Sequence, residues 1–435
     1  MSENLHQTIW RLTWPNVLSN ITVPLLGMTD IAIAGMAGAD TMIGSVSVGS
    51  SIFNFLYMNC AFLRMGTTGL TAQAFGARND REAVNILYRA ISVALFVAIF
   101  ILTFNSTFTR IAVVLMGGSE QVMAMVGDYI SVRLWALPAA LMLFVYNGWF
   151  VGMQDAKTPL FISIVTNLTN IAASALFTLK MNYGIQGIAW GTVVAQYVSV
   201  IIALVVFKIK YSNLSHINLS NIYSKKAMLS FFQLNGNVFV RSFFISLTYT
   251  IFTHISANIS DTVLATNTLL MQLFTLFSYI FDGCAFAAES LSGRFIGQKS
   301  GHLFRKACRY LFLWGGLISI SYTLVYLVAW HDILTLFSPS DAVMNCAADN
   351  IYYIILIPLL GYVPFMIDGI LFGATRVKPL MLSAIGSFVV FISTEHFTID
   401  TYNNDGLWIA FLAFTATRGL ILLPIMSRIY IAPFK

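Results

Sequence analysis

The chain has 435 residues, of which 58% are hydrophobic and 10% charged, whereas a soluble protein is about 25% charged. That composition excludes a soluble enzyme or binding module and points to a polytopic membrane protein. The formal net charge of +6 does not indicate nucleic acid, because the basic residues are scattered between apolar segments and never gathered on one soluble face.

The opening MSENLHQTIWRLTW lacks a basic stretch followed by a small-residue cleavage site. No removed signal peptide is expected, and the first helix serves as its own insertion signal. Segments of about 20 mostly apolar residues are long enough to span a bilayer. Twelve are expected as transmembrane helices, near 8–36, 41–75, 82–105, 120–153, 159–180, 184–208, 227–257, 261–295, 303–330, 342–375, 378–397 and 406–430. With the N-terminus inside, the inner loops and tail hold Arg78, Arg81, Lys157, Lys208, Lys210, Lys225, Lys226, Arg294, Lys299, Arg305, Lys306, Arg309, Arg376, Lys378, Arg428 and Lys435, and the outer loops only Arg110 and Lys180. This is the positive-inside pattern, with both termini cytoplasmic.

The first span carries Asp30, flanked by Met28, Thr29, Ile31 and Ala32. A carboxylate within a membrane helix costs several kcal/mol and faces a cavity or a partner, unless it sits near enough to the helix end to snorkel. Pro15 and Pro24 lie in the same helix, and Pro358 and Pro364 in the tenth. Each removes a backbone donor and allows a bend, although proline is also common in spanning helices. The stretch GMTDIAIAGMAGADTMIGSVSVGSS is small enough for close helix approach. Asn167, Asn170 and Ser174 in helix 5 and Thr192 in helix 6 are either oxygen ligands for a cation or a protonated carboxyl, or simple interhelical hydrogen-bonding groups.

The polar run 209–226, IKYSNLSHINLSNIYSKK, reads as a linker at the midpoint between a six-helix lobe over 1–208 and a second over 227–435. In helix 8, Asp282 and Glu289 share one face. They suit a cation or proton path, or a structural ion pair with Arg241 or Arg418. Together with Asp368 they form a candidate substrate or ion site of the carboxyl lobe. Arg64 and Arg133 are the remaining ionisable residues expected at membrane depth.

The two halves repeat. Asn147-Gly148-Trp149-Phe150-Val151-Gly152 returns 221 residues later as Asp368-Gly369-Ile370-Leu371-Phe372-Gly373. The same offset joins Asp40 to Asp261, Gly76 to Gly297 and Asp128 to Asp349. A six-helix unit repeated in one orientation implies an all-α membrane protein of two lobes related by a pseudo-two-fold along the membrane normal, the plan of a transporter. Cys60, Cys284, Cys308 and Cys346 form no CxxC and no Cys/His cluster, so neither a metal site nor a disulfide framework is expected. No GxxxxGK[ST], HExxH or GxSxG is present, which removes a nucleotide-driven pump and the common hydrolases and leaves coupling to an ion gradient.

The runs Val23 to Asp30, LRMGTTGLTAQAFG (Leu63 to Gly76), FDGCAFAAESLSGRFIGQ (Phe281 to Gln298) and IDGILFGATRVKP resemble the multidrug and toxic compound extrusion (MATE) family, in its DNA-damage-inducible protein F (DinF) branch. The likeness covers almost the whole chain. It implies a monomeric inner-membrane antiporter of bacteria, with no cofactor, that exports cationic lipophilic compounds in exchange for H+ or Na+ by alternating access. The family's coupling aspartate matches Asp30, its helix 1 bend matches Pro15, and its polar partners match Asn170 and Thr192. Where many members carry Asp or Asn one turn after the helix 5 asparagine, this chain has Ser174, which makes H+ the simpler coupling ion. Asp282, Glu289 and Asp368 match acidic positions of the branch. The rival expectations are a Na+-coupled antiporter, a lipid-linked sugar flippase using its arginines for pyrophosphate, and an intramembrane enzyme or receptor-like binding protein.

Overall fold

The computed structural model of the chain describes residues 4–37, 40–116, 120–215, 222–337 and 339–434. Gly38 and Ala39 of the small-residue stretch, 216–221 of the expected linker, and Lys435 lie outside the described residues. The twelve expected segments coincide with twelve helices long and apolar enough to cross a membrane. They are α1 (Leu5–Met36), α2 (Thr41–Gly76), α3 (Asp80–Thr103), α4 (Glu120–Gly152), α5 (Lys157–Lys180), α6 (Gly184–Lys210), α7 (Lys225–Ile259), α8 (Asp261–Gly297), α9 (Gly301–Thr335), α10 (Asp341–Gly373), α11 (Lys378–Tyr402) and α12 (Asn404–Ile431). No described residue is in a strand. Large apolar side chains such as Val328 and Phe397 lie outward and exposed, as they should where lipid and not water covers the surface.

The chain forms two compact units, Leu18–Phe231 and Phe232–Lys435 together with Met1–Val17. The first packs around Phe53, Tyr129, Trp149 and Phe150. The second packs around Phe252, Phe277, Phe281 and Trp408. Helix α1 therefore contributes its first turns to one unit and the rest to the other, and it runs without interruption through Pro15 and Pro24.

The sequence repeat is reproduced in the backbone. Among the described residues, the non-glycine positions with positive φ are Arg78, Gln154, Asn182, Lys299, Thr375 and Asn403, three pairs spaced by the same 221 residues. At Arg78 the helix ends in a left-handed turn, with Arg78 N–H donating to Phe75 O (3.1 Å) and Asn79 N–H to Ala74 O (2.9 Å). Lys299 and Ser300 repeat both bonds, as do the pairs at Gln154 and Thr375. These bonds satisfy the last carbonyls of each helix. Gly148 and Gly369 are equivalent too. A Cβ on Gly148 would collide with the carbonyl oxygen of Arg64, and one on Gly369 with that of Ala285. Close helix packing at these two points thus requires the missing side chain.

Two local departures from α-helix matter for the site. In α4 a 3₁₀ turn, Leu134–Ala136, follows Arg133, because Pro138 cannot donate to the carbonyl four residues back. In α5 the helix closes in a π turn, Leu176–Lys180, just after Ser174. At the α4–α5 junction Asp155 is buried and accepts from Lys210 Nζ (2.6 Å), Thr158 Oγ1 (2.6 Å), Tyr211 OH (3.1 Å) and Thr158 N–H (3.2 Å). Burial pushes the Asp155 carboxyl up, but the bonds from Lys210 and Thr158 outweigh it and hold the group below its usual range.

Candidate functional site

Asp30 is wholly buried at 0% exposure. Neither carboxylate oxygen has a hydrogen-bond partner among the described residues. The segment that carries it is fixed to α5 by polar contacts a little earlier in the chain. Thr22 Oγ1 donates to Ser19 O (2.7 Å) and accepts from Ser163 Oγ (2.5 Å), while Asn167 Nδ2 donates to Thr22 O (3.0 Å).

Arg133 acts on Asp30 by its charge, and the polar side chain of Asn170 faces it from α5. Asn170 is itself buried, and its amide donates to Thr192 Oγ1 (3.0 Å) while its own Oδ1 has no partner. Thr192 Oγ1 and Ser174 Oγ both donate to Ile188 O, at 3.3 and 3.4 Å. The structure therefore brings Asn170 beside Asp30 and Thr192 beside Asn170. It spends the hydroxyl protons of Thr192 and Ser174 on a backbone carbonyl of α6. Ser174 packs where Gly191 lets α5 and α6 touch, so its place is that of a helix-packing residue as much as a ligand.

Arg133 is the participant that sequence reasoning counted among the ionisable residues but did not join to Asp30. It is 6% exposed and donates to Tyr129 OH through a short bond and to Ser50 Oγ at 3.1 Å. Its guanidinium lies 4.7 Å from the centre of the Phe53 ring, and Tyr57 and Tyr129 face it electrostatically. Arg133 is thus held by neutral hydroxyls and rings while its charge is balanced at longer range by Asp30. The available signal was Pro138: the helix break it imposes places Arg133 at the irregular end of a turn, where functional side chains collect.

In the other unit Asp368 is buried, and its Oδ2 accepts from Arg241 through a short bond and from Arg418 at 2.7 Å. Arg241 and Arg418, the partners weighed for Asp282 and Glu289, both bind Asp368. Asp282 is half-buried and, with Asp368, Arg241 and Arg418, acts electrostatically on Tyr249. Glu289 is buried where α8 meets Gly373 of α10. Among the described residues no three His, Cys, Asp or Glu side chains come together as a metal site.

The family model MatE matches residues 15–176 and 238–395. The chain is 31% identical over 428 residues to the DNA damage-inducible protein F of Escherichia coli (strain K12), covering 97% of this chain and 92% of that one. It is 25% identical over 293 residues to the protein DETOXIFICATION 43 of Arabidopsis thaliana, covering 67% of this chain and 55% of that one. A crystal structure of MATE in the bent conformation superimposes with a TM-score of 0.89 at 17% identity, over 99% of this chain and 96% of that one.

Proposed function

Since this chain belongs to the MatE family, and is a multi-pass membrane transporter of that family, we propose that it is an H+-coupled antiporter. It exports cationic lipophilic compounds across the bacterial inner membrane, with both termini in the cytoplasm. The lobes 1–208 and 227–435, joined by the linker 209–226, alternate in access, and Pro15 and Pro24 let α1 bend as they do so. The observation that carries the reading is Asp30, wholly buried and without a hydrogen bond. A carboxylate in that condition needs a proton or a cation to offset its charge.

Arg133 gives the exchange its sign. With Asp30 ionised, the pair Asp30 and Arg133 is neutral. With Asp30 protonated, the pocket carries the positive charge of Arg133. In a low-dielectric site that charge repels a second cation strongly. Proton and cationic substrate therefore exclude one another, which is what an antiporter requires. Na+ coupling is the second reading, favoured by the unpartnered Asn170 Oδ1 beside Asp30, an oxygen suited to a hard cation.

The test is dye efflux from proteoliposomes under an imposed pH gradient. Asp30→Asn should abolish the response to the gradient while the purified protein remains folded. Gradient-driven efflux that survives the substitution would sink the assignment, and transport that follows Na+ with the pH gradient collapsed would transfer it to Na+.

A further inference from the structure

The arrangement around Asp368 differs from an ordinary buried ion pair. Two arginines from separate helices, Arg241 on α7 and Arg418 on α12, converge on a single carboxylate oxygen, and the other, Oδ1, is buried without a partner. An arginine that serves a carboxylate alone normally uses two parallel N–H groups on two oxygens. Here each guanidinium gives one N–H to Asp368, and among the described residues its remaining N–H groups have no further hydrogen bond. The three groups together hold one positive charge in excess.

Rings surround the two cations. The Arg241 guanidinium is 5.2 Å from the centre of the Phe372 ring, and that of Arg418 is 5.7 Å from Phe414 and 5.9 Å from Phe365. The phenol of Tyr249 faces the same charges. A guanidinium pair with unused donors and an apolar wall matches a ligand with a small planar anion at one end and a hydrophobic body at the other. Asp282 is the remaining charged group that acts on Tyr249.

We propose that Arg241 and Arg418 form a binding site for a monoanionic carboxylate amphiphile, with Asp368 as the internal anion that occupies the arginines until the ligand displaces it. The site is chemically opposite to the Asp30 pocket and does not depend on which ion Asp30 couples.

The test uses the full chain in nanodiscs of neutral phosphatidylcholine, titrated with dansylaminoundecanoic acid and with its methyl ester, a pair that differs by one charge. The wild type should bind the acid more tightly than the ester. Arg418→Gln should weaken the acid roughly tenfold, the value of one charge-assisted hydrogen bond, while leaving the ester and the cationic dye rhodamine 6G unchanged, and Arg418→Lys should recover part of the loss. The sign of Asp368→Asn decides the matter even if the arginine variants fold poorly. Removal of the competing anion should tighten acid binding several-fold, whereas a purely structural role predicts no change or a loss. Equal affinity of acid and ester for the wild type, or an Asp368→Asn protein that binds the acid no better, would overturn the proposal.

Discussion

Each unit buries one aspartate on a membrane helix, Asp30 and Asp368, and the two are treated in opposite ways. Asp30 has no hydrogen bond and feels its cation, Arg133, only at a distance. Asp368 is gripped by two guanidiniums at once. The surrounding backbones are equivalent, since positive-φ turns and close-packed glycines recur at one offset. The repeat position of Asp30 is Ile251, that of Arg133 is Ile354, and that of Asp368 is Asn147. Duplication has therefore kept the packing positions and changed the charges. A carboxylate that must take up and release a proton is served by loose partners, whereas one bound by two cations keeps its charge.

The largest effect that would test this contrast is expected at Asp368. Asp368→Ala leaves two buried arginines without their anion and should cost about 3–5 kcal/mol, read as a lowered melting temperature of the purified protein. Asp30→Asn loses no hydrogen bond and should stay within about 1 kcal/mol of wild type. If the two substitutions cost the same, the distinction between a carboxylate that keeps its charge and one that exchanges a proton is wrong.

Between these lies a test of what the units share. Gly148→Ala and Gly369→Ala each force a methyl group against a backbone carbonyl, of Arg64 and Ala285 respectively, and overpacking of this kind costs about 1–3 kcal/mol. The backbones are equivalent there, so the two melting shifts should agree. A large loss at one glycine and none at the other would show that the repeat has relaxed in one half.

The twelve helices and their repeat were legible because apolar length and recurring glycines are local signals, written in consecutive residues. Asp30 was legible as a solvation anomaly, and Asn170 and Thr192 as polar residues in apolar spans. What joins them was not. Asp368 takes its partners from residues 127 and 50 positions away, and nothing in the spacing of Arg241 and Arg418 distinguishes Asp368 from Asp282 or Glu289. Arg133 has no charged counterpart in the repeat, so self-similarity did not mark it. The left-handed turns at Arg78, Gln154, Lys299 and Thr375 were equally hidden, because these residues are not the Gly or Asn that usually announce such a conformation.

The smallest expected effect lies in a loop where the repeat reverses charge, Asp155 standing opposite Arg376. Asp155 is held below its usual range once the bonds from Lys210 and Thr158 outweigh burial. Its ionised form is therefore the one that stabilises the fold. That contribution is present above the unfolded value of about 3.9 and is lost as pH falls through the lower, folded value. Asp155→Asn should cost about 1 kcal/mol, with a gap to wild type that is constant from about pH 5 to 8 and closes below about pH 4. Melting curves across that range separate this from a steric role for Asp155, which would leave the gap unchanged in acid. The same substitution leaves Asp30 and Asp368 intact, so dye efflux at neutral pH should hold. A loss of efflux there would mean that the α4–α5 junction, and not only the Asp30 pocket, sets how the amino-terminal unit moves.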